Sequence, residues 1–542
     1  MTRFTMDEDI TAERPSATDA APPDERTPHR GPQPTTRRRY LVGAAAVGVA
    51  GAAGAYSAPA RAETFADEID AYSERFGTIV DVTEAGADDT GGTSITKVVN
   101  KQTADDTLLV FPPGEYFIDD QVRFTGYTNF GMVGNDATLV PADVHDYDGP
   151  KYRMFRFGVQ YRPGRDLLFE GFTIDQTADD TGVRVLEAFV EDGLEVRDVT
   201  VLGQHDSGAF GPALLSVTEP DGSGVVERFE AADGAAWVDD TPDPLGLWRG
   251  PTGILLSGYH RGTMELRDCV LGGFPDNGLY GCTNGTVRVV GGHYENSNAA
   301  SIRLGGTECV VRGATITVDE NPAHFRNQRG IRLDDGANCL VDDVTIDLSA
   351  PNGHALSVLA DVEYARIQNT TVTIAERVNH GIVVSPGAGP AHIFDTDVVI
   401  HGGGNAIQIG GTDEGPVVCK GVRVWGQASG AGFRHAIRCN RNDCEFRKIK
   451  VWQPGPDYRR GIVFNGDDCL LYDAQFKTRH HPVWVNGDGA WMEANTLESY
   501  DDYAAIRLND RSSTATIKEN TLYNGVLDLG CDGLRMYGNV IE

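Results

Sequence analysis

Lysine is scarce in this 542-residue sequence: only 8 of its 47 basic residues are lysine, and 39 are arginine. With 79 acidic residues the formal charge is −32, and the acids are spread along the chain rather than gathered in a tail. Such a surface excludes nucleic acid as a natural partner. It suits a high-salt medium, where repulsion is screened. The nine cysteines contain no Cys-x-x-Cys, which removes the commonest zinc and dithiol motifs. Beyond about Ala58 no apolar run is long enough to cross a bilayer. Helical periodicity is also missing between the apolar segments, so bundles and doubly wound folds are excluded.

What is present is a repeat. Gly330-Ile331-Arg332-Leu333 recurs as Gly253-Ile254-Leu255-Leu256, Ser301-Ile302-Arg303-Leu304, Gly381-Ile382-Val383-Val384, Ala436-Ile437-Arg438-Cys439 and Ala505-Ile506-Arg507-Leu508. With the related starts at Gly278, Ala355, Ala406, Gly461 and Pro482 included, successive starts from residue 253 onward are 21 to 30 residues apart. A unit of that size cannot bury a core alone and must stack on its neighbours. A second and often a third short strand follow each first one, as in Cys339-Leu340-Val341-Asp342 and Val344-Thr345-Ile346-Asp347. Three alternating strands per unit predict an all-β chain, a single-stranded parallel β-helix of about a dozen or more coils. Alternation puts Ile331 and Leu333 inside and Arg332 outside. Asn440, Asn465, Asn486 and Asn509 each follow a first strand on successive coils, which predicts a column of stacked amides with tolerance for left-handed backbone. Cys309 with Cys339, and Cys444 with Cys469, share a register; the spacing of about 4.8 Å is compatible with disulfides, but buried free thiols filling the core are the expectation.

The ends and one interruption complete the organisation. Residues 1–36 are polar and Pro-rich, with a composition that predicts no fold. Residues 37–62 begin with Arg37-Arg38-Arg39 and continue into a Gly/Ala-rich apolar run closed by Ala60-Arg61-Ala62. This segment resembles a twin-arginine export signal, which implies an extracellular or cell-surface protein with no membrane span in its mature chain. Residues 63–140 read as a cap and first coils, with a helical lead over Glu63–Phe76 and a short helix near Ser94–Gln102 that Ser94 can cap. Residues 141–542 carry the coils, with an apparent insertion at 206–252.

The order Gly86-Ala87-Asp88, short helix, Val110-Phe111-Pro112-Pro113-Gly114-Glu115-Tyr116 resembles the start of the pectate lyase-like superfamily. That resemblance implies a right-handed β-helix whose open N-terminal end is plugged by the helix. It also implies activity on polysaccharide, with calcium as a cofactor in the lyases of the superfamily.

Outward positions of the first strand form one row: Tyr280, Arg303, Arg332, Ser357, Val383, Gln408 and Arg438. Positions just before it form another, which includes Asp276, Arg329, His354, His380, Asn405, His435, Arg460 and His481. Arg303 and Arg332 are expected about 5 Å apart, a like-charge contact that needs a counter-anion. Glu308, Asp334 and Asp335 are internal candidates, and an acidic sugar is the external one. A lyase or epimerase removes a proton beside a uronate carboxylate and needs positive charge and a base. Asp276, Tyr280, Arg303, Arg329, Arg332 and His354 are thus the expected catalytic group. Trp237 and Trp248 of the insertion, together with His380, are expected to bind sugar. Asp276 could also serve calcium, although no calcium loop signature occurs. Glycoside hydrolysis requires paired carboxylates, for which Asp180 and Asp206 are the second choice. Asp276 and His380 lie four coils, roughly 19 Å, apart and cannot share one bond. The remaining alternative is a non-catalytic surface β-helix that binds glycan or protein.

Overall fold

The computed structural model describes residues 72–147, 152–242, 250–350, 352–375, 377–411 and 415–542. The expected unfolded segment 1–36, the export signal 37–62 and most of the helical lead lie outside the described residues. No helix among the described residues is long and apolar enough to cross a membrane.

The described chain is a right-handed parallel β-helix of about 16 turns. Each full coil contributes one strand to a 16-stranded sheet, and most coils then supply two more to a 31-stranded sheet that bends around the other faces. The coil Ile331–Gly336, Asn338–Asp342, Thr345–Leu348 shows why. Its apolar residues alternate, so Ile331, Cys339, Val341, Ile346 and Leu348 point into the solenoid and are at most 1% exposed. The next coil repeats the register, with Ile331 opposite Leu356 and Cys339 opposite Ala365. The tight corner between the second and third strands rests on one left-handed residue per coil: Asp343, Asn369, Asp395, Gly421, Lys448 and Asp473 have φ of 44–70°. Asp, Asn and Gly enter this conformation at least cost, and they dominate the column.

The asparagine column forms as expected. Asn465 Nδ2 donates to Asn440 Oδ1 at 2.7 Å, Asn486 Nδ2 to Asn465 Oδ1 at 2.6 Å, and Asn509 continues the chain onto Asn486. Its backbone is not left-handed; that conformation belongs to the other corner. All nine cysteines are free thiols, eight of them buried.

At the N-terminal end the helix Thr96–Gln102 buries Val99, with Ile95 just before it, against the core. Ser94 does not occupy the N-cap, which is Ile95; its hydroxyl instead takes the Thr96 N–H at 3.3 Å and donates to Asp119. Residues 206–252 are not one insertion. Ala213–Val217 and Ser223–Ala231 pair in register with coils on both sides, and Ala235 still bridges to His205 on the coil before. Arg184 is buried and bonds Glu187 at 3.1 Å, because the strand Arg184–Val190 is covered on both faces.

Candidate functional site

The expected arginine pair exists, and a single internal carboxylate bridges it. Arg303 and Arg332 sit opposite each other on adjacent strands. Asp334 reaches both: Arg303 Nε donates to its Oδ2 at 2.9 Å, and Arg332 Nε to its Oδ1 at 2.5 Å. Glu308 is engaged elsewhere, accepting from Arg288 at 2.9 Å. Arg303 also lies over the Tyr280 ring, 4.7 Å from its centroid. Burial pushes the Tyr280 phenol well up, so it is no poised base. One carboxylate shared by two guanidiniums offsets one of their two charges and holds both groups in place, which lowers their demand for an external anion.

The other expected residues divide between packing and a second locus. Asp276 accepts from Thr252 Oγ1 at 3.0 Å. Trp237 stacks on His324 at 5.3 Å and tilts against Phe325, pinning a neighbouring loop with the face expected to bind sugar. Trp248 lies outside the described residues. Asp206 accepts the backbone N–H groups of Asp180 and Gly182 at 3.1 and 3.3 Å, which makes it a turn anchor. Arg329 is buried beside His354, with the amide oxygen of Asn327 placed to accept from it at 2.7 Å. His354 and His380 come together, their rings 4.9 Å apart, and His380 meets Phe433 edge-on at 4.5 Å.

From His380 the row runs into a cationic cleft toward the C-terminal coils. Asn405, Gly432, Phe433, Arg434, His435 and Arg438 line a cavity of about 180 Å³. On the next coils Arg460 and Arg507 both stack on Trp484, at 3.7 and 3.9 Å from its centroid. Arg460 Nε donates to His480 Nδ1 at 3.1 Å, and its Nη1 lies 3.4 Å from His435 Nε2. Behind the cavity Arg459 is fully buried, bonded to the carbonyls of Gly404 and Phe433 and to Gln453. Among the described residues none of Arg434, Arg438, Arg459, Arg460 and Arg507 has a carboxylate partner, in contrast to Arg303 and Arg332. Burial holds Arg459 down to about 9, and burial together with Arg434 and Arg507 holds Arg460 down to about 10. Two buried atoms at this locus, Asn405 Oδ1 and Arg459 Nη2, have no hydrogen-bond partner.

The asparagine column is the rail that aims this cleft. Arg438 Nε donates to Asn440 at 3.2 Å, Trp484 Nε1 to Asn486 at 3.0 Å, and Arg507 Nε to Asn509 at 3.1 Å. A neutral acceptor orients each group without cancelling its charge, which a carboxylate would do.

No family model matches this chain, and no curated protein matches it. Solved structures do. The surface adhesin PfbA of Streptococcus pneumoniae aligns over 71% of this chain and 93% of its own, at 12% identity and a TM-score of 0.45. A GH87 α-1,3-glucanase from Streptomyces thermodiastaticus aligns over 85% and 68%, at 14% identity and 0.31. A PL6 alginate lyase in complex with a trisaccharide aligns over 86% and 89%, at 10% identity and 0.24. At these values the likeness is one of β-helix fold alone.

The histidines of the row share one electrostatic fate. Burial, then Arg460, Arg459, Arg438 and Arg434, hold His435 down to about 3; burial, then Arg438 and Arg459, hold His380 to about 4. Buried His205 is held to about 3, chiefly by burial. These groups stay neutral in the folded protein but take up protons near pH 6.5 once unfolded. The unfolded state thus binds more protons between about pH 6.5 and 4, so stability rises with pH there and is lost on acidification. The melting temperature should fall as the pH is lowered across that window, and His380→Gln should blunt the fall. A melting temperature flat from pH 7 to 4 would contradict this account.

Proposed function

We propose that this protein is an exported, carbohydrate-active β-helix that acts on an acidic polysaccharide, by polyuronate lyase or epimerase chemistry. The observation that carries the reading is the cleft of arginines without carboxylate partners in a chain of charge −32. Guanidinium groups beside a uronate carboxylate neutralise it and stabilise the negative charge that grows there when the adjacent C–H proton leaves. Arg460 and Arg507, held on Trp484, are the groups for that role. His481 is the base: its Nδ1–H donates to the Ala504 carbonyl at 2.7 Å, which leaves Nε2 with its lone pair. Burial, and after it Arg507 and Arg460, hold His481 down, and a bound anion offsets the part due to the arginines. In the lyase, His481 takes the proton, a C=C bond forms, and the C–O bond to the leaving sugar breaks. Tyr503, packed against His481 at 5.3 Å between rings, returns a proton to the leaving oxygen. In the epimerase, His481 keeps the abstracted proton and Tyr503 delivers its own to the opposite face of the same carbon.

Among the described residues no cluster of three or more His, Cys, Asp or Glu side chains is placed to hold a metal ion, so no step is assigned to calcium. Paired carboxylates for glycoside hydrolysis are likewise not part of this cleft. Export by the twin-arginine route, to the cell surface or medium, rests on residues 37–62 and belongs to the same proposal.

The test is incubation of the full chain with alginate and with polygalacturonate in molar salt, with and without calcium. New ultraviolet absorbance from an unsaturated uronate is the expected lyase result, and altered uronate stereochemistry without cleavage is the epimerase result. Reducing ends without that absorbance would mean hydrolysis and overturn the reading. Binding without any chemical change would leave a glycan-binding surface protein.

A further inference from the structure

Two of the six tryptophans occupy one register position on adjacent coils outside the cleft. Trp425, on the strand Arg423–Trp425, is directly opposite Trp452, on Lys450–Gln453. Both point outward, and they are 37% and 62% exposed. Burying an indole is worth more than exposing it, so an open pair aligned along the solenoid is a surface that something covers.

The rings are also held in place. Trp452 Nε1 donates to the Tyr500 hydroxyl at 2.5 Å, so the edge is satisfied and the flat face remains open. Lys477, the next residue in the same column, lies 4.9 Å over the Tyr500 ring and pairs with Glu498. Arg423 lies 5.4 Å from the Trp425 ring and is neutralised by Asp397. The apolar stripe is therefore two rings wide and rimmed by ion pairs, too narrow and polar for a lipid surface. Lys450, beside Trp452 and opposite Arg423, is exposed, and among the described residues it has no carboxylate partner. Flat faces with one free cation match the apolar face and the carboxylate of a uronate ring.

The platform is also joined to the cleft along the chain. Residues 454–459 lead from the Trp452 strand directly to Arg460. On that loop Tyr458 is 55% exposed and meets His480 and Tyr503 edge-on at 5.3 and 6.3 Å.

We infer that Trp425 and Trp452 form a distal subsite that holds a sugar ring of the same acidic polysaccharide chain, away from the reacting bond. This rests on the polyuronate reading above. Its consequence is a preference for long chains: a trisaccharide fills the cleft alone, whereas a polymer also reaches the platform.

The experiment compares the affinity of the full chain for polygalacturonate and for trigalacturonate in molar salt. In the variant carrying both Trp425→Ala and Trp452→Ala, polymer affinity should fall about tenfold. Trisaccharide affinity should stay unchanged. Trp452→Phe, which keeps a flat ring, should retain most of the polymer affinity, and Trp491→Ala, an exposed tryptophan outside this register, should retain all of it. Equal polymer binding by wild type and the double variant overturns the platform and leaves the cleft reading intact. Failure of the wild type to bind either ligand overturns both. Loss of trisaccharide binding in the double variant, with an unchanged melting temperature, would show that the tryptophans belong to the cleft and also overturn a distal subsite. Should the double variant fold poorly, the Trp452→Phe and Trp452→Ala single variants decide the same question.

Discussion

Arg460→Ala should weaken polyuronate binding by about 2–3 kcal/mol, roughly 30- to 150-fold, the scale of a charge-assisted hydrogen bond lost from a partly desolvated site. Arg460 is central because it touches Trp484, His480 and His435 together. Arg460→Lys should recover little, since an ammonium cannot stack on the indole and fork to a carboxylate at once. Arg332→Ala is the control. Its guanidinium is committed to Asp334, so affinity should be unchanged while the melting temperature shifts. Titration of both variants with polygalacturonate separates the two loci. Normal affinity in Arg460→Ala together with loss in Arg332→Ala would move the site back to the coils starting at residues 278–355.

A steep rise in melting temperature between dilute buffer and molar salt is the second expected result. If export removes residues 1–62, the remaining chain has 47 − 8 = 39 basic and 79 − 7 = 72 acidic residues, a difference of −33. Removing that segment therefore relieves none of the repulsion. Screening shortens its range from about 30 Å at 0.01 M salt to about 3 Å at 1 M. At about 1 °C per kcal/mol for a chain of this length, several kcal/mol of relieved repulsion corresponds to a shift of several °C. Surface ion pairs such as Arg423–Asp397 weaken in salt and work the other way, but each is worth little when exposed. Melts at a series of sodium chloride concentrations measure the balance, and a flat profile would contradict a salt-adapted surface.

The solenoid was legible in the sequence because its determinants are local and repeated. Ile331, Leu333, Cys339 and Val341 declare their faces by alternation, and the stack copies that choice from coil to coil. The asparagine column was legible for the same reason: one residue per coil at one register gives one continuous chain of amides. The row containing His354, His380, His435, Arg460 and His481 could also be written down from spacing. The sequence even holds the signal that separates its two halves. Two residues past the outward arginine, on the same face, Arg332 has Asp334, whereas Arg438 has Asn440 and Arg507 has Asn509. An acid there cancels the charge and an amide preserves it.

What the sequence determined by itself, then, was the parallel coil, its inward faces and the rows that run along it. Only the tertiary structure decided which arginines stay uncompensated. Asp334 is bound to Arg332 two residues away but also reaches Arg303 on the coil before it. Trp237 is spent on His324 across a loop whose path no periodicity records. Residues 213–231, which looked like an insertion, close as an ordinary coil because their strands find partners on both sides. Strand pairing repeats one geometry and can be counted along a chain. Neutralisation and ring stacking depend on side chains a few ångströms apart whose separation in sequence varies with every loop, and only the folded coils bring them together.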